Sequence, residues 1–193
     1  MERNSQIKIF EAQIRELFGR VVWTHKTHEK CADILKKRSS NVKLMQIILS
    51  AVTTTGIMVS VFGDEKWVGV VTALISTSLL GLNTYLKKHD LGQIAQKHAN
   101  SATALWNIRE TYLSLLTDIK AENISVDEIV SKRDKLQKEL LGLYKGAPRT
   151  ISKAYKEASE ALKTNEELTF SDEEIDNFLP KELRKSTTTQ QKI

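Results

Sequence analysis

Two uninterrupted apolar runs dominate the pattern of hydrophobic and polar positions along the chain. Residues 44–62 and residues 67–86 contain no charged side chain, and only Gly63-Asp64-Glu65-Lys66 separates them. A helix rises about 1.5 Å per residue, so each run can cross the roughly 30 Å hydrocarbon core of a bilayer. The alternative is a buried helical hairpin in a soluble core, but two adjacent runs of this length are rare in small soluble domains. The pattern predicts an integral membrane protein with two spans.

Outside these runs, apolar residues recur every three or four positions, the spacing with which helices interlock along a seam. One seam precedes the first span and another follows the second, and we expect the helix to continue beyond the second span. Ser39-Ser40-Asn41 is the expected break before the membrane. His28 and His98 both lie on seams, although the spacing leaves their register open. The predicted seam residues are Phe10, Ile14, Leu17, Val21, His28, His98, Leu105 and Tyr112.

These patterns predict an all-α membrane protein in which a two-span antiparallel transmembrane hairpin continues into a cytoplasmic helical stalk or bundle. Ser125 with Glu128, and Ser171 with Glu174, have the spacing of capping boxes and predict two further helix starts. Gly146-Ala147-Pro148 should end one helix, and another should run from Pro148 to Lys163. The predicted regions are an N-terminal cytoplasmic amphipathic helix (1–43), the hairpin (44–86, with spans 44–62 and 67–86), a cytoplasmic helical bundle (87–165) and an acidic, then disordered, tail (166–193).

Charge at the ends of the spans predicts the orientation. Lys36-Lys37-Arg38 and Lys43 precede the first span, Lys87 and Lys88 follow the second, and the loop between them has one Lys against two acids. Because Lys and Arg stay on the cytoplasmic side, both termini should lie in the cytoplasm. The net charge of +5 is too small to indicate nucleic-acid binding. The basic cluster beside the membrane instead favours anionic lipid as a partner.

Neither span has the composition of a plain lipid anchor, because polar residues form one stripe on each helix. Polar groups in hydrocarbon need partners, so these stripes should face protein or water. A ridge of small residues on the second span allows close helix approach. The stripes are Gln46, Ser50, Thr53 and Ser60 on the first span and Thr72, Ser76 and Asn83 on the second, and the ridge is Gly69, Ala73, Thr77 and Gly81.

Two interpretations of the stripes are equally compatible with the periodicity. In one, the stripes hydrogen-bond the two spans of one chain to each other. In the other, the small ridge packs the hairpin and the polar stripes line the centre of an oligomer. Such a pore would pass small ions with little selectivity, because it has neither charged rings nor a carbonyl filter.

The sequence offers no enzyme chemistry. His25, His28 and Cys31 are spaced by threes, but a zinc site needs four ligands and no paired cluster accompanies them, so seam packing is the better account. Glycine-rich phosphate loops, Cys-x-x-Cys pairs and the His-Glu-x-x-His pattern are missing from the sequence. We therefore expect no catalytic residue, no cofactor and no metal.

Over residues 5–165 the chain resembles the SLATT family, two-transmembrane effector domains of nucleotide-signalling bacterial defence systems. Trp23-Thr24-x-x-x-His28 and Ala32-Asp33-x-Leu35 precede the two spans and their four-residue turn. Trp106 follows in the next helix. The resemblance ends with Leu143-Tyr144-x-x-Ala147-Pro148, Tyr155 and Ala158.

The resemblance implies an oligomeric pore-forming effector of antiphage immunity that aborts infection by dissipating ion gradients. It places the effector in the bacterial inner membrane, where a separate sensor protein or its signal would trigger it. That sensor would be linked either to a nucleotide signal or to nucleic acid. No ligand-binding residues of the family carry over to this sequence. The alternative is a non-conducting membrane scaffold that recruits a cytoplasmic partner through its stalk. A phage lysis pore is a weaker alternative, because its cytoplasmic portion would be unusually large.

Overall fold

The computed structural model describes residues 2–63 and 66–185, and every regular element within them is helical. The expected disorder of residues 186–193, and the middle of the turn between the spans, lie outside the described residues. The elements are α1 (Glu2–Phe62), α2 (Lys66–Lys88), α3 (Leu91–Lys120), α4 (Val126–Gly146), α5 (Ser152–Lys163), α6 (Asp172–Phe178) and a 3-10 turn (Lys181–Leu183).

The first helix is a single element of 61 residues that carries both the N-terminal seam and the first apolar run. The break expected at Ser39-Ser40-Asn41 is therefore wrong. Ser and Asn are only a few tenths of a kcal/mol less favourable than Leu or Lys in a helix interior. No Pro or Gly stands near them, so the long helical segments on both sides outweigh this small cost.

A break does occur after the second span, where we expected the helix to continue. The second helix ends at Lys88, and Asp90 is the N-cap of α3. The Asp90 carboxylate accepts hydrogen bonds from the backbone N–H groups of Gly92 and Gln93, at 2.8 and 3.0 Å. Such a cap satisfies helix N-terminal donors that have no partner in their own helix, and so permits the helix axis to change.

The helices outside the apolar runs share a core built on α1 and α3. α1 contacts α2, α3, α4 and α5, and its most extensive contact is with α3. All eight predicted seam residues lie in this bundle, six of them buried and Phe10 and Leu17 packed partly buried against the core. The main core cluster consists of Ile14, Val21, Leu105, Ile108, Tyr112, Leu115, Ile119, Ile124, Ile129 and Leu136.

The shorter helices start and stop largely as the local signals predict. Ser125 with Glu128, and Ser171 with Glu174, form complete capping boxes at the starts of α4 and α6. The fourth helix ends at Gly146, as predicted. The next begins at Ser152 and not at Pro148, because Ile151 is extended. Its buried face is made of alanines, which permit a close approach to α1.

Candidate functional site

The apolar halves of α1 and α2 pack against each other through polar and small residues. The amide of Gln46 donates a hydrogen bond to the side-chain oxygen of Asn83. Near the other end of α2, a Cβ added to Gly69 would lie 2.5 Å from the hydroxyl oxygen of Ser60. Amides in hydrocarbon require partners, and the bond between Gln46 and Asn83 gives each of the two amides one.

From Gln46 to Ser60 the chain advances fourteen residues on α1, and from Asn83 to Gly69 it goes back fourteen residues on α2. Both contacts therefore fit one helix register, and halfway between them Thr53 is level with Ser76. The contact layers are therefore spaced by seven residues along each helix. Seven residues are close to two helical turns, so the layers stack along one side of the helix pair. We call Gln46, Thr53, Ser60, Ser76 and Asn83 the polar flank. Thr53 is only 9% exposed and lies between the helices, whereas Ser76 and Asn83 are exposed.

The remaining two predicted lining residues lie in different places. Ser50 is exposed and borders the polar flank, four residues after Gln46. Thr72 is only 6% exposed and faces Gly56 between the helices. Thr72 therefore packs the two helices together, whereas the side chains of Ser50, Ser76 and Asn83 remain exposed beside the pair.

Gly56 is a packing residue that the sequence analysis did not identify. A Cβ at this position would overlap the hydroxyl of Thr72, so any larger residue would push α1 and α2 apart. The signal was present in the sequence. Gly56 lies three residues after Thr53 and four before Ser60, the spacing of a helix-packing seam.

Many hydroxyls of the two apolar runs are satisfied inside their own helix. Thr53, Thr54, Thr77, Ser78 and Thr84 each donate to the carbonyl oxygen four residues earlier, at 2.8 to 2.9 Å. This back-bonding is open to any helical Ser or Thr. A Thr on the outer surface therefore does not by itself require water or a neighbouring chain.

The ridge of small residues packs against α1 only at Gly69. Ala73, Thr77 and Gly81 are exposed, and no atom lies within 4 Å of a Cβ placed on Gly81. In one interpretation of the sequence, the whole ridge packs the two spans. The contacts instead assign most of that packing to Gln46, Gly56 and Thr72, and leave three ridge positions facing outward.

The outer surface of the helix pair is apolar and uncovered. Two helices of the described part of the chain are long and apolar enough to cross a membrane, and 0% and 6% of their apolar windows are buried. A core helix of a soluble protein would be mostly buried. Bulky side chains such as Ile47, Val61 and Leu74 are more than 60% exposed, so the pair has the surface of helices in lipid.

The basic residues that flank the two apolar runs are exposed and lie at one level of the molecule. Lys43 and Leu86 line the same small cavity, together with Gln46 and Asp90. Lys36, Lys37 and Arg38 lie one to two turns before Lys43 on α1, and Lys87 and Lys88 belong to the last turn of α2. Cations from both helices thus form one collar at the end of the apolar surface.

A buried histidine pair joins the two seams below this collar. His28 Nδ1 and His98 Nδ1 are 3.0 Å apart, and both residues are at most 3% exposed. One ring donates from Nδ1 and the other accepts at Nδ1, an arrangement that two neutral rings satisfy. Burial, reinforced by His98 and His25, lowers the pKa of His28 to about 4, and burial also lowers the pKa of His98.

The third histidine and the cysteine of the predicted trio have packing roles. His25 is buried with Nε2 3.5 Å from Glu29. Burial raises the pKa of the Cys31 thiol, which packs beside Ile34 and Ala154. Among the residues that the structure describes, no three His, Cys, Asp or Glu side chains converge to hold a metal.

Comparison with known proteins gives one match. The family described as "SMODS and SLOG-associating 2TM effector domain family 4" matches residues 10–174, most of the chain. The resemblance inferred from the sequence motifs is thereby confirmed. Curated proteins and solved structures yield no match.

Proposed function

Because the chain belongs to the SMODS and SLOG-associating 2TM effector domain family, we propose that it is the pore-forming effector of a bacterial antiphage system. In this proposal α1 and α2 form an antiparallel hairpin across the inner membrane. The cation collar and the helical bundle lie on the cytoplasmic side, as the positive-inside rule requires. Several copies associate, ions leak, and infection aborts. A separate sensor protein or its nucleotide signal supplies the trigger.

The polar flank is the observation that carries the pore. The polar side chains of two different helices meet on one side of the pair, and Ser50, Ser76 and Asn83 remain exposed there. Scattered hydroxyls would be tolerated anywhere, since they bond to their own helix. A continuous polar side with exposed amide and hydroxyl groups is expected to turn away from lipid. A ring of hairpins with this flank inward encloses an uncharged polar path.

The outward part of the small ridge supports contact between neighbouring hairpins. At 100° per residue, Ala73, Thr77 and Gly81 follow the polar flank around α2, away from α1. Small side chains at every fourth position let helices of adjacent copies approach closely. The contact surface and the pore surface would then be neighbours on one helix, as a closed ring requires.

The test is leakage of a dye from liposomes that contain the purified protein, with membrane potential in cells as a second measure. Ser76→Leu should insert normally and abolish leakage. Ser78→Leu is the matched control, because Ser78 lies on the far side of the same helix and bonds to its own backbone. Equal leakage from both variants would refute the assigned lining.

A non-conducting scaffold is the second candidate, and the satisfied hydroxyls of the apolar runs favour it. These hydroxyls need no aqueous path. Wild-type protein that is inserted and oligomeric but releases no dye, with or without phage infection of the source cells, would support the scaffold and exclude the pore.

A further inference from the structure

A cleft of about 750 Å³ lies between α1 and α3, outside the membrane-facing part of the molecule. This volume is in the range of small-molecule sites. The segment that follows α5 covers one side of the cleft through Glu167 and Leu168. None of the cleft residues belongs to the polar flank or to the ridge, so the cleft has no part in the pore proposed above.

Two lysines of the cleft bind the same carboxylate. Lys26 Nζ is 2.7 Å from Glu167, and Lys30 Nζ is 3.3 Å from the same group. Arg109 lines the opposite wall. Lys26 is 9% exposed, and a buried ammonium must have an anion beside it. Burial alone would lower the pKa of Lys26, but its hydrogen bonds to Glu167 and Glu29 raise it.

Apart from its ion pairs, the segment that carries Glu167 is tied to α5 by a backbone hydrogen bond from the N–H of Glu167 to the carbonyl oxygen of Ala161, at 3.0 Å. Within the described residues, α6 makes no extensive contact with another helix. Glu166 has a backbone φ of 50°, a left-handed conformation that costs a non-glycine residue about 1 kcal/mol or more. The ion pairs of Glu167 therefore hold a strained turn against the cleft.

The charges of the cleft change when this carboxylate leaves. With Glu167 in place, Lys26 also bonds to Glu29 at 2.9 Å, and Arg109 is already paired with Glu110 at 2.6 Å. Withdrawal of Glu167 takes away the carboxylate that Lys30 binds, whereas Lys26 keeps Glu29. The vacated position lies between two lysines, which suits another anion.

An aromatic ring lies within reach of the same position. Trp106 lines the cleft and is 49% exposed, which is high for an indole outside the membrane-facing helices. Exposed indole faces stack on planar rings, and lysines bind phosphate as point charges. The combination of ring platform and cations fits a molecule that has both a base and a phosphate.

We propose that this cleft is a nucleotide-binding site whose phosphate position is occupied by Glu167 in the resting state. A nucleotide would place its phosphate between Lys26 and Lys30 and its base on Trp106, and it would displace the C-terminal segment. The idea that this displacement triggers the effector rests on the function proposed above. The binding site does not.

A lipid headgroup is a poor candidate for the same chemistry. Lys30 precedes the apolar run at Leu44 by fourteen residues of one continuous helix, which is about 20 Å. A headgroup at the membrane surface does not reach that far. The expected ligand is therefore a soluble nucleotide.

The test is calorimetric titration of the full chain in phosphatidylcholine nanodiscs with ADP, inorganic pyrophosphate and adenosine. Glu167→Gln should lower the dissociation constant for ADP and for pyrophosphate about tenfold, because the competing carboxylate is gone. Glu166→Gln is the matched control, since it removes the same charge one residue away. Lys30→Met should raise both constants at least tenfold, and Lys153→Met, on an exposed surface of α5, should not.

Further measurements separate the contribution of the base from that of the phosphate. Trp106→Leu should weaken ADP and leave pyrophosphate unchanged, and adenosine should bind far more weakly than ADP. Equal affinities in the Glu167 and Glu166 variants, or no binding of any probe, would overturn the proposal. A loss of ADP affinity in nanodiscs with phosphatidylglycerol would overturn the assignment to a soluble ligand.

The outcome is independent of the pore. Binding without dye leakage would retain the cleft and refute the pore-forming function. Leakage from liposomes without binding would refute the cleft and retain the function.

Discussion

The buried pair of His28 and His98 should make the helical bundle sensitive to mild acid. Their Nδ1 atoms share one proton across 3.0 Å, so protonation of the acceptor ring at Nδ1 places two N–H donors face to face, and protonation of the donor ring places a charge on its buried Nε2. Burial already lowers both pKa values, and for His28 the value is about 4. His25, on the next turn of α1, also has a pKa lowered by burial and carries Glu29 beside it.

The sign and size of the effect follow from His28. Its folded-state pKa of about 4 lies below the ordinary 6.5, so the unfolded chain binds more protons between these values. The stabilisation is complete above about pH 7 and is lost as the pH falls from 6.5 towards 4. One pH unit corresponds to about 1.4 kcal/mol. The loss reaches about 1 kcal/mol at pH 5.5 and about 3 kcal/mol in total.

The assay is thermal unfolding of the detergent-solubilised protein, followed by helical circular dichroism at pH 7.5 and 5.5. A loss of 1 kcal/mol corresponds to about 2–4 °C in Tm for a chain of this size. Between pH 7.5 and 5.5, the Tm of the wild type should therefore fall by about 2–4 °C more than the Tm of the His28→Leu/His98→Leu variant. In that variant both polar partners are removed together. His89→Leu, at an exposed histidine, should behave like wild type. Identical pH-induced shifts in wild type and the double variant would refute the reasoning.

Three further variants test the packing of the helices. Gly56→Leu should weaken the α1–α2 pair by about 1–3 kcal/mol through overpacking, and Thr72→Ala should partly relieve this loss. Gly81→Leu should be tolerated, because the surroundings of Gly81 are open. Unfolding in mixed detergent micelles measures the stability of each variant, and equal losses at both glycines would contradict the assigned packing. Asp90→Ala should cost about 1 kcal/mol of bundle stability in urea unfolding, and Asp90→Asn should retain most of it. Ile129→Ala, at a fully buried core position, should cost about 2–5 kcal/mol in the same assay, and a cost below 1 kcal/mol would place the residue outside the core.

The parts of the fold that local signals determine were predictable. The capping box of Ser125 with Glu128 and the seam spacings each depend on residues within two turns of one another, so the sequence contains the whole signal. The break after the second span was missed because Asp90 has two compatible roles. Asp is tolerated inside a helix and preferred at an N-cap. The extended backbone of Asp90, with φ of −70° and ψ of 96°, decides for the N-cap.

The candidate site was predictable as a set of residues but not as an arrangement. Periodicity identified Gln46 and Asn83 as polar positions in hydrocarbon, yet a seven-residue spacing also allows pairings shifted by two turns. Only the register of the packed helices brings the two amides together. The contact of Glu167 with Lys26 was beyond any local pattern, since 141 positions separate them in the chain.

The continuity of α1 has a mechanical consequence. At about 1.5 Å per residue its 61 residues extend over roughly 90 Å, and no proline or cap interrupts the hydrogen-bond ladder between the cleft and the polar flank. We expect a rotation of α1 at Lys26 to reach Thr53, because the two residues lie 27 positions apart in one continuous helix. One side of the molecule is thus a single unbroken helix from the cleft to the polar flank, whereas the other side is interrupted at Asp90.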